Sequence, residues 1–148
     1  AFGVKEVYFN NYKRINKMKT KLQTITQYLE CDTDQIEQGY NEDTFELGNQ
    51  EYLVLTDEEA YQSAEDYIKD SIWAFNPSFL AEHTGIDEGI FEALQDKCED
   101  VNELITNSIK DMDEFIADAI SKDGIAHFIS SYDGNEEELN DFYIYRTN

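Results

Sequence analysis

Apolar residues at Ile15, Met18, Leu22, Ile25 and Leu29 recur every three or four positions, so the spacing predicts a helix from about Asn11 to Glu30. The polar, acidic stretch Cys31–Asp43 after it reads as a loop. Phe45, Leu47, Tyr52 and Val54 then flank Gly48-Asn49, a pair suited to a tight turn, which predicts paired strands Thr44–Gly48 and Gln50–Thr56. Thr56-Asp57-Glu58-Glu59 is a capping box that opens a helix from Asp57 to about Phe75, with Tyr61, Ala64, Ile68, Ile72 and Phe75 on its apolar face.

Asn76-Pro77 starts a short helix that ends near His83, before Gly85, and Asp87 to about Cys98 gives another with Ile90, Phe91 and Leu94 inward. The longest predicted helix is Glu99–Ser121, on the stripe Val101, Leu104, Ile105, Ser108, Ile109, Met112, Phe115, Ile116, Ala119 and Ile120. Asp123-Gly124 stops it. Ala126–Tyr132 and Asp141–Arg146 then read as strands that pair across the turn Asp133-Gly134-Asn135 and extend the earlier hairpin. Runs of strand and of helix that do not alternate predict an α+β fold: a small antiparallel sheet with several helices packed on one face. At 148 residues, this is the length of one domain. Its expected organisation is a basic N-terminal segment 1–21 and a single acidic domain 22–148.

Charge changes the picture most. Thirty-three acidic residues against 11 basic ones leave a net charge of -22. Lys5, Lys13, Arg14, Lys17, Lys19 and Lys21 face Glu6 alone in the first 21 residues, so that segment carries +5 and the remainder -27. The basic stretch Lys13–Lys21 is expected either to fold onto the acidic body or to form a separable extension, and Met18 is placed to serve as a translational start. A body so acidic is repelled by phosphates and by anionic lipid, so its expected partners are basic and include neither nucleic acid nor membrane. The whole-chain charge averages one per roughly 350 Å² of surface, against one per roughly 100 Å² on a DNA duplex. Mimicry of DNA would therefore require the carboxylates to be concentrated. The abundance of Ile, Asn and Tyr and the retained lysines fit A/T-biased coding better than salt adaptation.

No catalytic pattern emerges. Asp32 and Asp34 have the opening spacing of a calcium loop, but Ile36 and Glu37 stand where the next ligand and the glycine belong. Asp133-Gly134-Asn135 with Glu136–Glu138 reads as a turn followed by solvated charge, with a weak cation site as the alternative. His83 and His127 lie in no zinc motif, Cys31 and Cys98 make no disulfide framework, and no elbow surrounds Ser130 or Ser131. Scattered glycines form no phosphate cradle. No enzyme activity, metal or cofactor is expected. The longest apolar runs are four residues, far below the ~18 of a membrane span, and no leader is evident, so a cytoplasmic chain in a host cell is expected.

Glu51–Ala60 (EYLVLTDEEA), Tyr67–Asn76 (YIKDSIWAFN), His127–Gly134 (HFISSYDG) and Phe142–Arg146 (FYIYR) carry a resemblance. Through them residues 22–148 resemble a largely uncharacterised family of small acidic proteins encoded by bacteriophages and mobile elements. The resemblance implies a biological setting and no catalytic residues. Small acidic phage proteins include DNA mimics that block restriction, CRISPR or repair enzymes, although this chain carries no diagnostic anti-restriction motif. Two readings stay open. One is a binding module that occupies the basic groove of a host DNA- or RNA-binding enzyme. The other is a phage accessory or virion-associated protein whose acidity only confers solubility. On the first reading the contact residues are Glu58, Glu65, Asp66 and Asp70 of one helix with Asp111, Asp113, Glu114 and Asp118 of another, because carboxylates three or four residues apart share a helical face.

Overall fold

In the computed structural model, residues 21–97 and 101–148 are described. The expected helix over Asn11–Glu30 is present over residues 21–29 (α1). Its earlier part, Met18, the rest of the basic stretch and Cys98 lie outside the described residues. Chain contacts define two compact units, one of the residues up to Ala60 together with Ile129–Asn148, the other Tyr61–Phe128.

The first unit holds a five-stranded sheet in the order β1-β2-β3-β5-β4, every neighbouring pair antiparallel. The strands are β1 (Glu37–Gln38), β2 (Thr44–Leu47), β3 (Gln50–Leu55), β4 (Glu137–Leu139) and β5 (Phe142–Arg146). The Gly48-Asn49 hairpin forms as expected: Leu47 pairs with Gln50, and Gly48 supplies the positive φ of 60° that a type II′ turn places at its first loop residue. Because side chains alternate, Phe45, Tyr52, Val54, Phe142 and Ile144 share a face, and Ile25, Leu22 and Leu29 of α1 pack against it. The helix covering this side of the sheet is therefore the N-terminal one.

Three readings of the sequence are corrected here, one of them over residues that run from the second unit into the first. Cys31–Asp43 is not all loop: a 3-10 turn, Thr33–Gln35, leads into β1, and Gly39 lets it lie against β2, since a Cβ there would stand 2.5 Å from Thr44 Cγ2. Ala126–Tyr132 is not a strand. Its first half is a helix, α7 (Ile125–Ile129), and Phe128, Ile129 and Ser130 are buried in succession, which a half-exposed strand does not permit. The partner of β5 is instead β4, and the turn between them is Asn140-Asp141, both at positive φ (54° and 64°), the pattern of a type I′ turn.

The second unit, from Tyr61 on, is helical. α2 (Asp57–Asp70), whose first turn belongs to the first unit, opens on the Thr56–Glu59 capping box, with Glu59 N–H donating to Thr56 Oγ1 at 3.3 Å and Thr56 N–H to Glu59 Oε2 at 3.2 Å. It stops at Asp70, short of the expected Phe75. Asn102 bridges the break, its amide donating to the Lys69 carbonyl (2.9 Å) and its oxygen accepting from Trp73 N–H (3.1 Å). A 3-10 turn, Ile72–Ala74, follows, then α3 (Pro77–Thr84), capped by Asn76 and stopped at Gly85, and α4 (Glu88–Asp96). The long helix expected over Glu99–Ser121 is two, α5 (Asn102–Ser108) and α6 (Met112–Asp123). Ile109 is extended (ψ 127°), and the Asp111 carboxylate caps the new start by accepting from Glu114 N–H at 3.1 Å. The split divides the apolar stripe, leaving Ile105, Phe115, Ile116 and Ala119 buried and Leu104 out. Ile90 and Tyr61, read as inward, are also exposed; Ile90 lies 100° around α4 from buried Phe91, and a nine-residue helix with one covered side buries only one of them.

Tyr145 is fully buried in the first unit, and its hydroxyl donates to Glu136. Burial first, then the hydrogen bond and charge of Glu136, raise its pKa well above the ordinary 10.0. The native state thus holds this proton more tightly than the unfolded chain does. The stabilisation is whole below pH about 10 and is lost as pH rises beyond it. Tyr145→Phe is expected to cost about 1 kcal/mol and to flatten the alkaline limb of a pH–stability curve measured by urea denaturation.

Candidate functional site

The eight helical acids do not form one equivalent set. Glu58, Asp66, Asp70, Asp113 and Glu114 are exposed. Asp66 accepts from Gln62 at 2.9 Å, while Glu65 pairs with Lys69 at 3.2 Å one turn on. Asp111 is committed to capping α6. Asp118 is half-buried and engaged inside the second unit. Glu58 belongs to the first unit and the other seven to the second.

The sheet holds an acidic feature that helical spacing of carboxylates does not reveal. Glu37 lies opposite Glu46, and Glu46 opposite Glu51, so three glutamates form a row across β1, β2 and β3. Directly opposed residues have Cβ atoms about 5 Å apart, and like charges placed so are destabilising. Of the three, Glu51 is anchored by a hydrogen bond from Thr147 Oγ1 at 2.6 Å. The signal was present: a two-residue loop at Gly48-Asn49 forces Glu46 opposite Glu51. Only Glu37 required the tertiary fold.

On the second unit, His83 of α3 and Asp118 of α6 meet at 2.8 Å, the imidazole N–H donating to the carboxylate. The His83 ring is wedged against Phe79 (4.7 Å between centroids) and Phe115 (5.0 Å). Lys122, one turn beyond Asp118, sets its ammonium 3.7 Å from both the Asp118 and the Glu82 carboxylates and 4.7 Å from the Phe79 ring centre. The hydrogen bond from His83, then the Lys122 charge, hold the Asp118 carboxyl below the usual carboxylate range. Among the described residues, Glu82, His83 and Asp118 are the group whose donor atoms converge closely enough for one metal ion.

The remaining candidates lie in hydrogen-bonded turns and a cleft. Asp133 accepts from Asn135 N–H (2.9 Å) and Ser130 Oγ (3.0 Å), which lowers its pKa and makes the expected turn at Asp133-Gly134-Asn135 a hydrogen-bonded one. Asp32 and Gln35 close the 3-10 turn, Gln35 accepting from Asp32 N–H at 2.9 Å. Among the described residues neither histidine is hydrogen-bonded to a serine or a cysteine. A cleft of about 260 Å³ lined by Tyr67, Phe75, Phe128, Asp123 and His127 indents the second unit. No described helix is long and apolar enough to cross a membrane. Compared with protein-family models, curated proteins and solved structures, the chain matches none.

Proposed function

We propose that this protein is an acidic binding module whose carboxylates take a basic partner, a protein that itself grips nucleic acid, and that it acts on that partner as a DNA mimic. The observation that carries the reading is the row Glu37–Glu46–Glu51. Carboxylates directly opposed across strands are destabilising, by up to about 1 kcal/mol a pair. A repulsion kept within a folded sheet is offset when lysines or arginines of a partner neutralise it, and such an interface forms fast and weakens steeply with salt. The exposed acids Glu58, Asp66, Asp70, Asp113 and Glu114 add to the attraction. The bacteriophage setting implied by the resemblance suits an inhibitor of a host defence or nucleic-acid enzyme.

The row makes an unusual demand on a test: stability and binding must move in opposite directions. Glu46→Gln is expected to raise stability by about 0.5 kcal/mol, read by urea denaturation, while weakening partner binding. Reversal of all three glutamates to lysine, and separately of Asp66, Asp70, Asp113 and Glu114, is scored by competition with labelled duplex DNA for a captured DNA-binding protein between 50 and 200 mM salt. At least a tenfold loss in either reversal supports the mimic. Unchanged competition, or capture that duplex DNA never displaces, returns the chain to the accessory-protein reading, in which its acidity only keeps it in solution.

A further inference from the structure

The geometry points to a binding site for a divalent transition-metal ion, zinc in the first instance, formed by Glu82 and His83 of α3 and Asp118 of α6. Its donor set is one imidazole nitrogen and two carboxylates, the mixed N/O set that zinc accepts and that calcium or magnesium, which favour oxygen throughout, does not. The donor atoms lie within 4.8 Å of one another. Tetrahedral ligands at about 2.05 Å from a zinc ion stand about 3.3 Å apart. His83 Nε2 and Asp118 Oδ2 are at 2.8 Å, so the proton that Nε2 donates to Asp118 has to move to Nδ1 or to solvent, the two atoms have to part by about half an ångström, and Glu82 has to close in. Glu82 is free to swing, its side chain being 63% exposed, whereas His83 is held by Phe79 and Phe115 with 9% exposure. One ligand is thus preoriented by packing and one is adjustable, and solvent supplies the fourth.

A second observation marks the same point. The Lys122 ammonium sits equidistant, 3.7 Å, from the Glu82 and Asp118 carboxylates. The fold therefore already places a positive charge between these two ligands, and the lysine stands in for the cation. Its side chain is 52% exposed, so a metal ion can displace it into water. Lys122 is then a built-in competitor, and removing its charge should tighten metal binding.

The chain has only two histidines, which makes the test direct. Imidazole resonances of the full chain are followed by NMR while zinc chloride is added in a non-chelating buffer near neutral pH. His83 is expected to shift and saturate at one equivalent while His127 stays in place, and magnesium at the same concentration is expected to leave His83 unmoved. Glu82→Gln, a surface change that keeps the fold, should weaken zinc binding at least about tenfold, since even groups outside the ligand shell contribute that much. Lys122→Gln should strengthen it severalfold. The site is overturned if His83 is unmoved through several equivalents, if His127 responds first, if magnesium shifts His83 equally, or if Glu82→Gln binds zinc as the parent does.

Discussion

Phe115→Ala is expected to be the most damaging single change in the second unit, costing about 3–5 kcal/mol against a total stability of about 5–15 kcal/mol. Phe115 is fully buried, and its ring meets Phe75 at 5.2 Å, Phe79 at 4.9 Å and His83 at 5.0 Å between centroids. The neighbouring rings are large and belong to separate segments, the chain before α3 and α3 itself, so they cannot collapse into the space together. The lost transfer energy and the cavity therefore add. The same change removes the wall that fixes His83, so the His83–Asp118 hydrogen bond should loosen as well. Urea denaturation checks the first effect and the His83 imidazole shift the second; a loss below about 1 kcal/mol would show that this aromatic cluster is not the unit's core.

Lys21→Met is expected to cost about 2–3 kcal/mol in the first unit. The Lys21 ammonium is buried, its side chain 6% exposed, and it bridges Asp43 (2.5 Å) ahead of β2 and Glu59 (2.6 Å) in the first turn of α2. Removing one member of a fully buried pair costs about 3–5 kcal/mol, because the other charge is stranded. Here the carboxylates are 29% and 33% exposed and recover part of their hydration, which lowers the figure. Burial of the ammonium also predicts that the loss persists in 0.5 M salt, where an exposed pair would have been screened. A Tm for Lys21→Met within one degree of the parent, or a difference that vanishes with salt, would refute it. Of the basic stretch Lys13–Lys21, this lysine at least folds onto the acidic body.

Local chemistry was legible wherever a few adjacent residues settle it. The Thr56–Glu59 box, the Asn76-Pro77 start, the Gly85 and Gly124 stops and the Gly48-Asn49 turn all work through hydrogen bonds and φ angles within a span of about five residues, and all are where the sequence places them. The break before α6 was legible too, since Asp111-Met112-Asp113-Glu114 is a cap signature of the same kind as Thr56–Glu59; a continuous apolar stripe masked it. Ala126–Tyr132 failed for a different reason. A short apolar run has no period that separates buried strand from buried helix, and a strand also needs an available neighbour. Both sides of β5 are taken, by β3 and β4.

The α+β class, the antiparallel hairpin, the net charge of -22 and the starts of α2, α3 and α4 were thus determined by the sequence alone, because each follows from composition or from neighbours in the chain. Tertiary structure alone decided which acids act together. Glu37 joins Glu46 and Glu51 only when β1 pairs with β2, and Glu82 and His83 meet Asp118, some 35 residues onward, only when α3 and α6 come together. Sequence spacing ranks carboxylates by helical turn. Coulomb's law ranks them by distance, and for residues on different elements that distance is set by packing.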